Sequence, residues 1–220
     1  MPKSRKTDIS ISVIKRLPRY YRFVGELIKQ GVVRSSSGDL AEKMSLTASQ
    51  IRQDLNCFGG FGQQGYGYNL IELRKEIGKI LGVDCGYKTV LFGAGNLGKA
   101  IASHMNFEKY GCELIGIFDS DLRKTNERVA NLKIMPVSDM ERFFEEKKPE
   151  IAILCIPKAS AQELADKLVA MGIKAFWNFS HYDLKVSHKD IIVENAHLGD
   201  SLMMLSYGLT NSNNEEAEEE

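Results

Sequence analysis

Between residues 12 and 30 the apolar positions Val13, Leu17, Tyr20, Tyr21, Val24, Leu27 and Ile28 recur at steps of three and four, which predicts an amphipathic helix. Pro18 lies inside that run and demands a start or a kink near it. Leu40, Ala41 and Met44 predict a second, short helix over 37–44, with Ser37 placed to cap it. A third helix begins sharply at Thr47, where Thr47-Ala-Ser-Gln50 has the form of a capping box. Ile51, Leu55 and Phe58 supply its inner face, so Ala48, Ser49, Arg52, Gln53 and Asn56 point elsewhere. From residue 88 the pattern changes to short apolar, β-rich runs alternating with helical segments. The runs are 88–92, 113–118, 151–156 and 175–179, with helical character over 99–105 and 159–171 and a stop at Gly172. Such alternation predicts a parallel sheet with ligands at the carboxyl ends of its strands.

Two short helices joined by a tight turn, the second opening on small polar residues and carrying Arg52 and Gln53 outward, match a helix-turn-helix. Small residues let the helix end enter a major groove, and Arg52 and Gln53 reach phosphates or base edges. Helix pairs with a polar face also occur in proteins that never touch DNA. The ten residues from Gly59 to Tyr68 hold five glycines and three aromatics, which suits a hairpin whose tip needs positive φ. A hairpin directly after a recognition helix is a wing, whose glycines let backbone approach a narrow minor groove with Gln63 and Gln64 at the tip. Phe61 and Tyr68 are assigned to the core.

Charge sharpens this division. The formal net charge is zero, yet residues 1–84 carry 14 Lys and Arg against 8 Asp and Glu, while the other 136 carry 15 against 21. A basic module is therefore joined to an acidic one; its excess is either a solvated surface or an anion-binding face, for which nucleic acid is the usual partner. Glutamate fills five of the last six positions, and with the polar run from Asn211 this reads as a disordered, solvated tail. No apolar run approaches a membrane span and Met1 to Thr7 is basic and polar, so a cytoplasmic protein without membrane partners is expected. Cys57, Cys85, Cys112 and Cys155 are widely spaced reduced thiols, and neither they nor the four histidines have the spacing of a metal site.

Gly93-Ala-Gly-Asn-Leu-Gly98 follows the first β-run and leads into a helix, the context in which a G-x-G-x-x-G motif carries meaning. The first glycine makes the turn, the second admits a pyrophosphate and the third lets helix pack on strand. Phosphates would sit on the helix N-terminus, where unpaired N–H groups favour negative charge. Asp119 ends the next run, 21 residues past Gly98, where an acid that binds both ribose hydroxyls and repels a 2′-phosphate belongs; this argues for NAD(H) over NADP(H), with Asp121 as competitor. His181 and His188 lie where a dehydrogenase keeps an acid or base, but only about 40 residues follow Phe179, too few for a substrate domain. A nucleotide site of this kind is better read as a sensor than as an enzyme. The alternatives are a small NAD-dependent oxidoreductase with a basic accessory domain, and a DNA-binding protein whose nucleotide site is only structural.

Arg16-Leu-Pro-Arg-Tyr-Tyr-Arg22, Gln50-Ile-Arg-Gln-Asp-Leu55, Phe58-Gly-Gly-Phe-Gly62, Gly65-Tyr-Gly-Tyr-Asn69, the Gly93 to Gly98 loop, Trp177-Asn-Phe179 and Asp200 to Tyr207 occur together in order. With these motifs the chain resembles the Rex redox-sensing transcriptional repressors of bacteria over nearly all its length. The resemblance implies an α/β protein: a winged helix-turn-helix domain over 1–84, a Rossmann doubly wound parallel-sheet domain over 85–197 and a helix exchanged between protomers over 198–210, followed by the disordered acidic tail that composition assigns to 211–220. It implies a homodimer on an inverted-repeat operator, released by NADH as the NADH/NAD+ ratio rises. Leu198, Leu202, Leu205 and Leu209 form an apolar stripe on the last helix, as an exchanged element needs.

The resemblance also assigns sites. Operator contacts fall on Arg16, Thr47, Ala48, Ser49, Gln50, Arg52 and Gln53, and on Gln63, Gln64, Gly65 and Tyr66 of the wing. The dinucleotide falls on Gly93, Ala94, Gly95, Asn96, Leu97, Gly98, Asp119, Ile156, Pro157, Asn178 and Phe179. Gln53 stands where Arg or Lys is expected, and Gln63 and Gln64 replace basic wing residues, so a weaker salt dependence follows. Of an Arg, Tyr and Asp switch found in some members, Arg22 matches the first, while the other two positions hold His104 and His197. An imidazole pair there would add a response to pH.

Overall fold

A computed structural model of the chain describes residues 9–59, 61–63 and 66–219 and divides into two units, Met1–Cys85 and Gly86–Glu220.

The first unit begins with α1 (Ile11–Lys29), capped by the Ser10 hydroxyl, which accepts from the Ser12 N–H. Val13, Leu17, Tyr20, Val24 and Leu27 are its buried stripe. Pro18 neither starts nor ends the helix. It sits on the exposed side, so the Ile14 carbonyl that loses its amide partner lies toward solvent. After β1 (Arg34–Ser35) comes α2 (Ser37–Met44). Its cap is Ser36 and not the expected Ser37: Ser36 Oγ accepts from the Asp39 N–H at 3.0 Å and Asp39 accepts from the Ser36 N–H at 3.1 Å, a complete capping box.

For α3 (Ala48–Asn56) the box is only half made. Thr47 Oγ1 accepts from the Gln50 N–H at 3.1 Å, but the Gln50 amide turns along the helix to Asp54 rather than back to the cap. The charge-assisted bond from Gln50 Nε2 to the Asp54 carboxylate draws the amide along the helix, away from where its Oε1 would accept from the Thr47 N–H. The strands β2 (Gly62–Gln63) and β3 (Gly67–Asn69) pair antiparallel as the expected hairpin, with Gln63 opposite Gly67, and β1 adds a third strand beside β3. Gly67 has φ +67°, and a Cβ there would lie 2.6 Å from the Ser35 carbonyl oxygen, so β1 and β3 approach closely only because this residue is glycine. Tyr68 is buried and Phe61 packs on the same core. Asn69 caps α4 (Leu70–Leu81), which closes the core over α1 through Leu70, Leu73 and Ile77.

In the second unit β4 (Tyr87–Phe92), α5 (Asn96–His104), β5 (Cys112–Asp119), β6 (Arg128–Val129), β7 (Leu132–Pro136), α6 (Met140–Lys147), β8 (Ile151–Leu154), α7 (Lys158–Ala170), β9 (Ala175–Asn178), α8 (Leu184–Ser187) and β10 (Ile192–Asn195) build one sheet with helices on both faces. Its order is β10-β9-β8-β4-β5-β7-β6, parallel except for β6. Alternate residues of β4 feed the two faces. Val90 and Phe92 pack with Phe118, Phe144, Leu154 and Leu168, while Leu91 packs with Ala102, Ile117, Ile134 and Ile153. The chain moves outward from β4 to β5 and β7, then returns to β8 on the other side of β4. That reversal opens a crevice at the carboxyl ends of β4 and β8, the binding position of doubly wound folds.

The last helix, α9 (Leu198–Glu219), runs through the polar segment into the glutamates. Residues 211–219 are thus helical where the composition suggested a disordered tail; the segment has no proline or glycine to stop a helix already propagating, and Glu and Ala favour it. The four cysteines are free thiols. Among the described residues no helix is long and apolar enough to cross a membrane, and no cluster of three His, Cys, Asp or Glu could hold a metal ion.

Candidate functional site

Two surfaces carry the expected chemistry, one in each unit. In the second unit Gly93 leaves β4 with φ +96°, its N–H bound to the Phe118 carbonyl at 2.8 Å. A Cβ at Gly93 would lie 2.3 Å from the Cys155 carbonyl oxygen, and one at Gly98 would meet the Gly93 carbonyl oxygen. These two glycines let the loop fold onto the sheet and α5 fold onto the loop. Gly95 differs: it has extended backbone, φ −78° and ψ −171°, and a Cβ there meets nothing within 4 Å. Its missing side chain leaves room outside the protein, at the start of α5, which has no side-chain cap. A dinucleotide pyrophosphate fits this cradle: open space, free helix N–H groups and the positive end of a helix dipole. Asn96 and Leu97 open that helix and Ala94 lies buried beneath the loop.

Beside the loop is a cleft of about 290 Å³. Phe92, Gly93, Phe118 and Asp119 form its sheet side, and Val137, Ile156, Pro157, Ser160 and Leu164 its other walls. Asp119, 6% exposed, ends β5 at the rim. Its Oδ2 accepts from the Ala94 N–H at 2.7 Å and from Lys124 Nζ at 3.0 Å, and its Oδ1 accepts from the Asp121 N–H at 2.8 Å. Burial pushes this carboxyl up, but the Asp121 N–H, the Lys124 ammonium and the Ala94 N–H outweigh it and hold Asp119 below the usual carboxylate range. Asp121 instead turns outward to Arg123, which donates through Nε and Nη2 at 2.9 Å each. These bonds with the Arg123 N–H lower the Asp121 carboxyl to about 2.

Asn178 lies at the carboxyl end of β9 but turns inward. Its Nδ2 donates to the Tyr182 carbonyl at 2.7 Å and to Asn195 Oδ1 at 2.9 Å, and its Oδ1 accepts from the N–H and hydroxyl of Ser180. With both amide ends used within the protein and the residue fully buried, Asn178 organises the turn after β9. Phe179 packs on Trp177, ring centroids 4.7 Å apart. His197 does not meet His104. It stacks on His181 at 4.9 Å and 13°, with a buried Nδ1 that has no partner, while His104 is exposed at the end of α5. His188 is held by Asp166 of α7 at 2.7 Å.

In the first unit Thr47, Ser49, Arg52 and Gln53 are exposed along the outer face of α3, with Ala48 half-buried at its start. Arg52 Nη1 donates to Ser37 Oγ at 2.9 Å, which ties α3 to α2. Two other expected contacts are engaged inside. Asp54, 1% exposed, accepts from Arg16 Nε at 2.6 Å, Arg16 Nη2 at 2.7 Å, the Tyr20 hydroxyl at 2.6 Å and Gln50 Nε2 at 2.9 Å. Burial raises the Asp54 carboxyl, but Arg16, Tyr20 and Gln50 overcome that and hold it low; burial and Asp54 together push the Tyr20 hydroxyl up. Arg22 is exposed on α1. On the wing Tyr66 is 72% exposed, and its carbonyl accepts from Arg34 Nε at 3.1 Å. Gln64 and Gly65 lie outside the described residues, and Gln63 is described only as part of β2.

Comparison with known proteins decides the family. A protein of Thermoanaerobacter pseudethanolicus named redox-sensing transcriptional repressor Rex is 55% identical over 94% of this chain and 92% of its own. The chain belongs to the Rex family of redox-sensing transcriptional repressors. A Rex protein of Clostridium perfringens is 50% identical over 94% of this chain and 98% of its own. Among solved structures, the Rex-family repressor RSP in complex with β-NAD+ and operator DNA matches with TM-score 0.88 at 54% identity, covering 94% of this chain and 95% of that one. RSP in complex with β-NADH matches with TM-score 0.85 at 51% identity over 94% and 97%. The family model "Putative DNA-binding protein N-terminus" matches residues 8–56 and the model "CoA binding domain" matches residues 84–182. Rex proteins are repressors rather than enzymes, so the oxidoreductase alternative falls.

Sequence reasoning missed Asp54, Tyr20, Arg34 and Lys124. Asp54 was visible in principle, as a lone acid on the apolar face that Ile51 and Leu55 define. Lys124 had no comparable signal, because a short turn after β5 brings it back to Asp119.

Proposed function

We propose that this protein is a cytoplasmic homodimeric repressor that binds inverted-repeat operator DNA through α3 and the wing, and that NADH releases it. The observation that carries the reading is the open cradle at Gly95, a nucleotide-binding loop in the same chain as a helix-turn-helix with an outward polar face. RSP, named in complexes with β-NAD+ and operator DNA and with β-NADH, supports the assignment of both ligands.

Thr47, Ala48, Ser49, Arg52 and Gln53 would meet the major groove, and Tyr66 with its neighbours at 63–65 the minor groove. Arg16 and Gln50 keep donors beyond those given to Asp54 and would contribute from positions already fixed. The Gly93 to Gly98 loop would hold the pyrophosphate, Asp119 the ribose, and Ile156 and Pro157 one wall of the adenine cleft. Asn178 would shape the floor toward the nicotinamide and Phe179 would pack beside it. Arg22, His104 and His197 stand at the family's switch positions.

Leu198, Leu202, Met203, Met204, Leu205, Tyr207 and Leu209 of α9 are all exposed. Apolar groups on several faces require cover on more than one side, which exchange of the helix between protomers would provide. NADH can shift such a dimer only by binding its two forms with different affinity, and a tenfold ratio per site is worth about 1.4 kcal/mol.

Fluorescence anisotropy of a labelled A/T-rich inverted-repeat duplex with the full chain tests the function. Binding that NADH abolishes and NAD+ spares is the expected result. Binding indifferent to both nucleotides would leave a DNA-binding protein whose second unit has another task.

A further inference from the structure

The acid at the ribose edge is not the bare negative charge that its place in the sequence suggests. Asp119 shares Oδ2 between the Ala94 N–H and the ammonium of Lys124, 3.0 Å away, and commits Oδ1 to the Asp121 N–H. Lys124 is itself 31% exposed, so its ammonium faces solvent beside Asp119, which lines the cleft. The next acid, Asp121, is matched in the same way by the two-pronged Arg123. At the Asp119 edge of the cleft an ion pair therefore stands in place of an uncompensated acid, and the other charged residues lining the cleft, Glu163 and Lys167, are paired with each other at 2.7 Å.

We propose that Lys124 is the specificity-determining residue for the adenosine ribose. By pairing with Asp119 it sets how strongly a phosphate on that ribose is rejected, and it places a cation 3.0 Å from the acid that would meet the 2′-hydroxyl. The inference rests on the nucleotide-binding reading above and adds the group that tunes it. A carboxylate with no counter-ion repels a phosphate and accepts from ribose hydroxyls, which is the usual basis for preferring the unphosphorylated dinucleotide. Here Oδ1, which accepts from a single N–H, has a second acceptor site for a ribose hydroxyl, while Lys124 reduces the repulsion. A cation at contact distance shifts phosphate binding by about fivefold in bulk water and up to about a thousandfold near a protein surface. Lys124 is partly exposed, so the effect falls toward the lower end, about tenfold.

Isothermal titration of the full chain with NADH and with NADPH tests this in the parent protein, Lys124→Ala and Lys124→Arg. The parent binds NADPH measurably though more weakly than NADH. Lys124→Ala loses at least about tenfold more affinity for NADPH than for NADH. Lys124→Arg restores the parent ratio, and added salt narrows the difference between parent and alanine variant. A purely structural lysine would weaken both ligands by one factor, and that result overturns the proposal. So does a parent protein that takes no NADPH at millimolar concentration, or an alanine variant that takes NADPH better. Failure of NADH itself to bind the parent would instead remove the nucleotide-binding reading on which the inference stands.

Discussion

Replacing Asp54 by alanine removes the acceptor of four hydrogen bonds on the inner face of α3, and the cost can be worked from its partners. Tyr20 is 3% exposed, and its hydroxyl would be left without a partner in the core, at about 1–3 kcal/mol. Breaking a fully buried ion pair from one side costs roughly 3–5 kcal/mol. Arg16 is 30% exposed and can turn to water, so most of that penalty is relieved on its side. The net loss is about 3 kcal/mol. In a domain of this size it lowers the melting temperature by on the order of 15 °C.

The assay has a control in the molecule. Trp177 is the single tryptophan and lies in the second unit, so its fluorescence follows that unit while far-UV circular dichroism follows all helices. In Asp54→Ala, part of the helical signal is lost well ahead of the tryptophan transition. Tyr20→Phe costs about 1 kcal/mol alone, and almost nothing further once Asp54 is gone. The effect also depends on pH. A carboxyl held below its unfolded value contributes stability above about pH 4, which is lost as pH falls through the folded value. The gap between the parent and Asp54→Asn should therefore narrow in acid. A loss under about 1 kcal/mol in Asp54→Ala, or a gap that widens as pH falls, would refute this account.

Gly95→Val keeps its fold and its operator binding but no longer releases DNA with NADH, because the added side chain fills only the cradle; release that persists would remove that site. Gly98→Ala, whose methyl would collide with the Gly93 carbonyl, instead lowers the melting point of the second unit in the same thermal scan. Leu202→Glu with Leu205→Glu gives a monomer in sedimentation experiments, as two charges on exposed apolar positions of α9 prevent a second chain from covering them. Gly67→Ala costs more than about 1 kcal/mol in thermal unfolding, from positive φ and a carbonyl contact. Operator affinity in anisotropy titrations falls with it as the wing shifts.

Much of the fold is legible because period and motif agree. The three- and four-residue steps from Val13 to Leu27 become the buried stripe of α1, and the glycine spacing from 93 to 98 becomes the turn between β4 and α5. What was not legible depends on competition among polar groups. A Thr-x-x-Gln pattern predicts a reciprocal box, but it cannot tell that Asp54 takes the Gln50 amide first. A count of 21 residues finds Asp119, but not the lysine that a later turn returns to it. The resemblance puts His104 and His197 at two positions of one switch, whereas within the chain the imidazole that His197 stacks on is His181, which follows the turn Asn178 organises.

The two working helices begin in opposite ways, and the difference matches their proposed ligands. At α3 the Thr47 hydroxyl takes a backbone N–H, so the helix start is capped by the protein and the outward side chains are left to read a partner. At α5 the position before the helix is Gly95, with no side chain to cap the N–H groups and open space beyond them. An uncapped, sterically open helix start binds an anion through backbone, with little dependence on side-chain identity. Substitution should therefore act unequally. Changes at Arg52 or Gln53 alter which operator is preferred, whereas changes at Asn96 or Leu97 alter nucleotide affinity only as far as they add bulk. A large loss of NADH affinity on shortening Asn96 to alanine would show that side chain to be a ligand in its own right and would break the contrast.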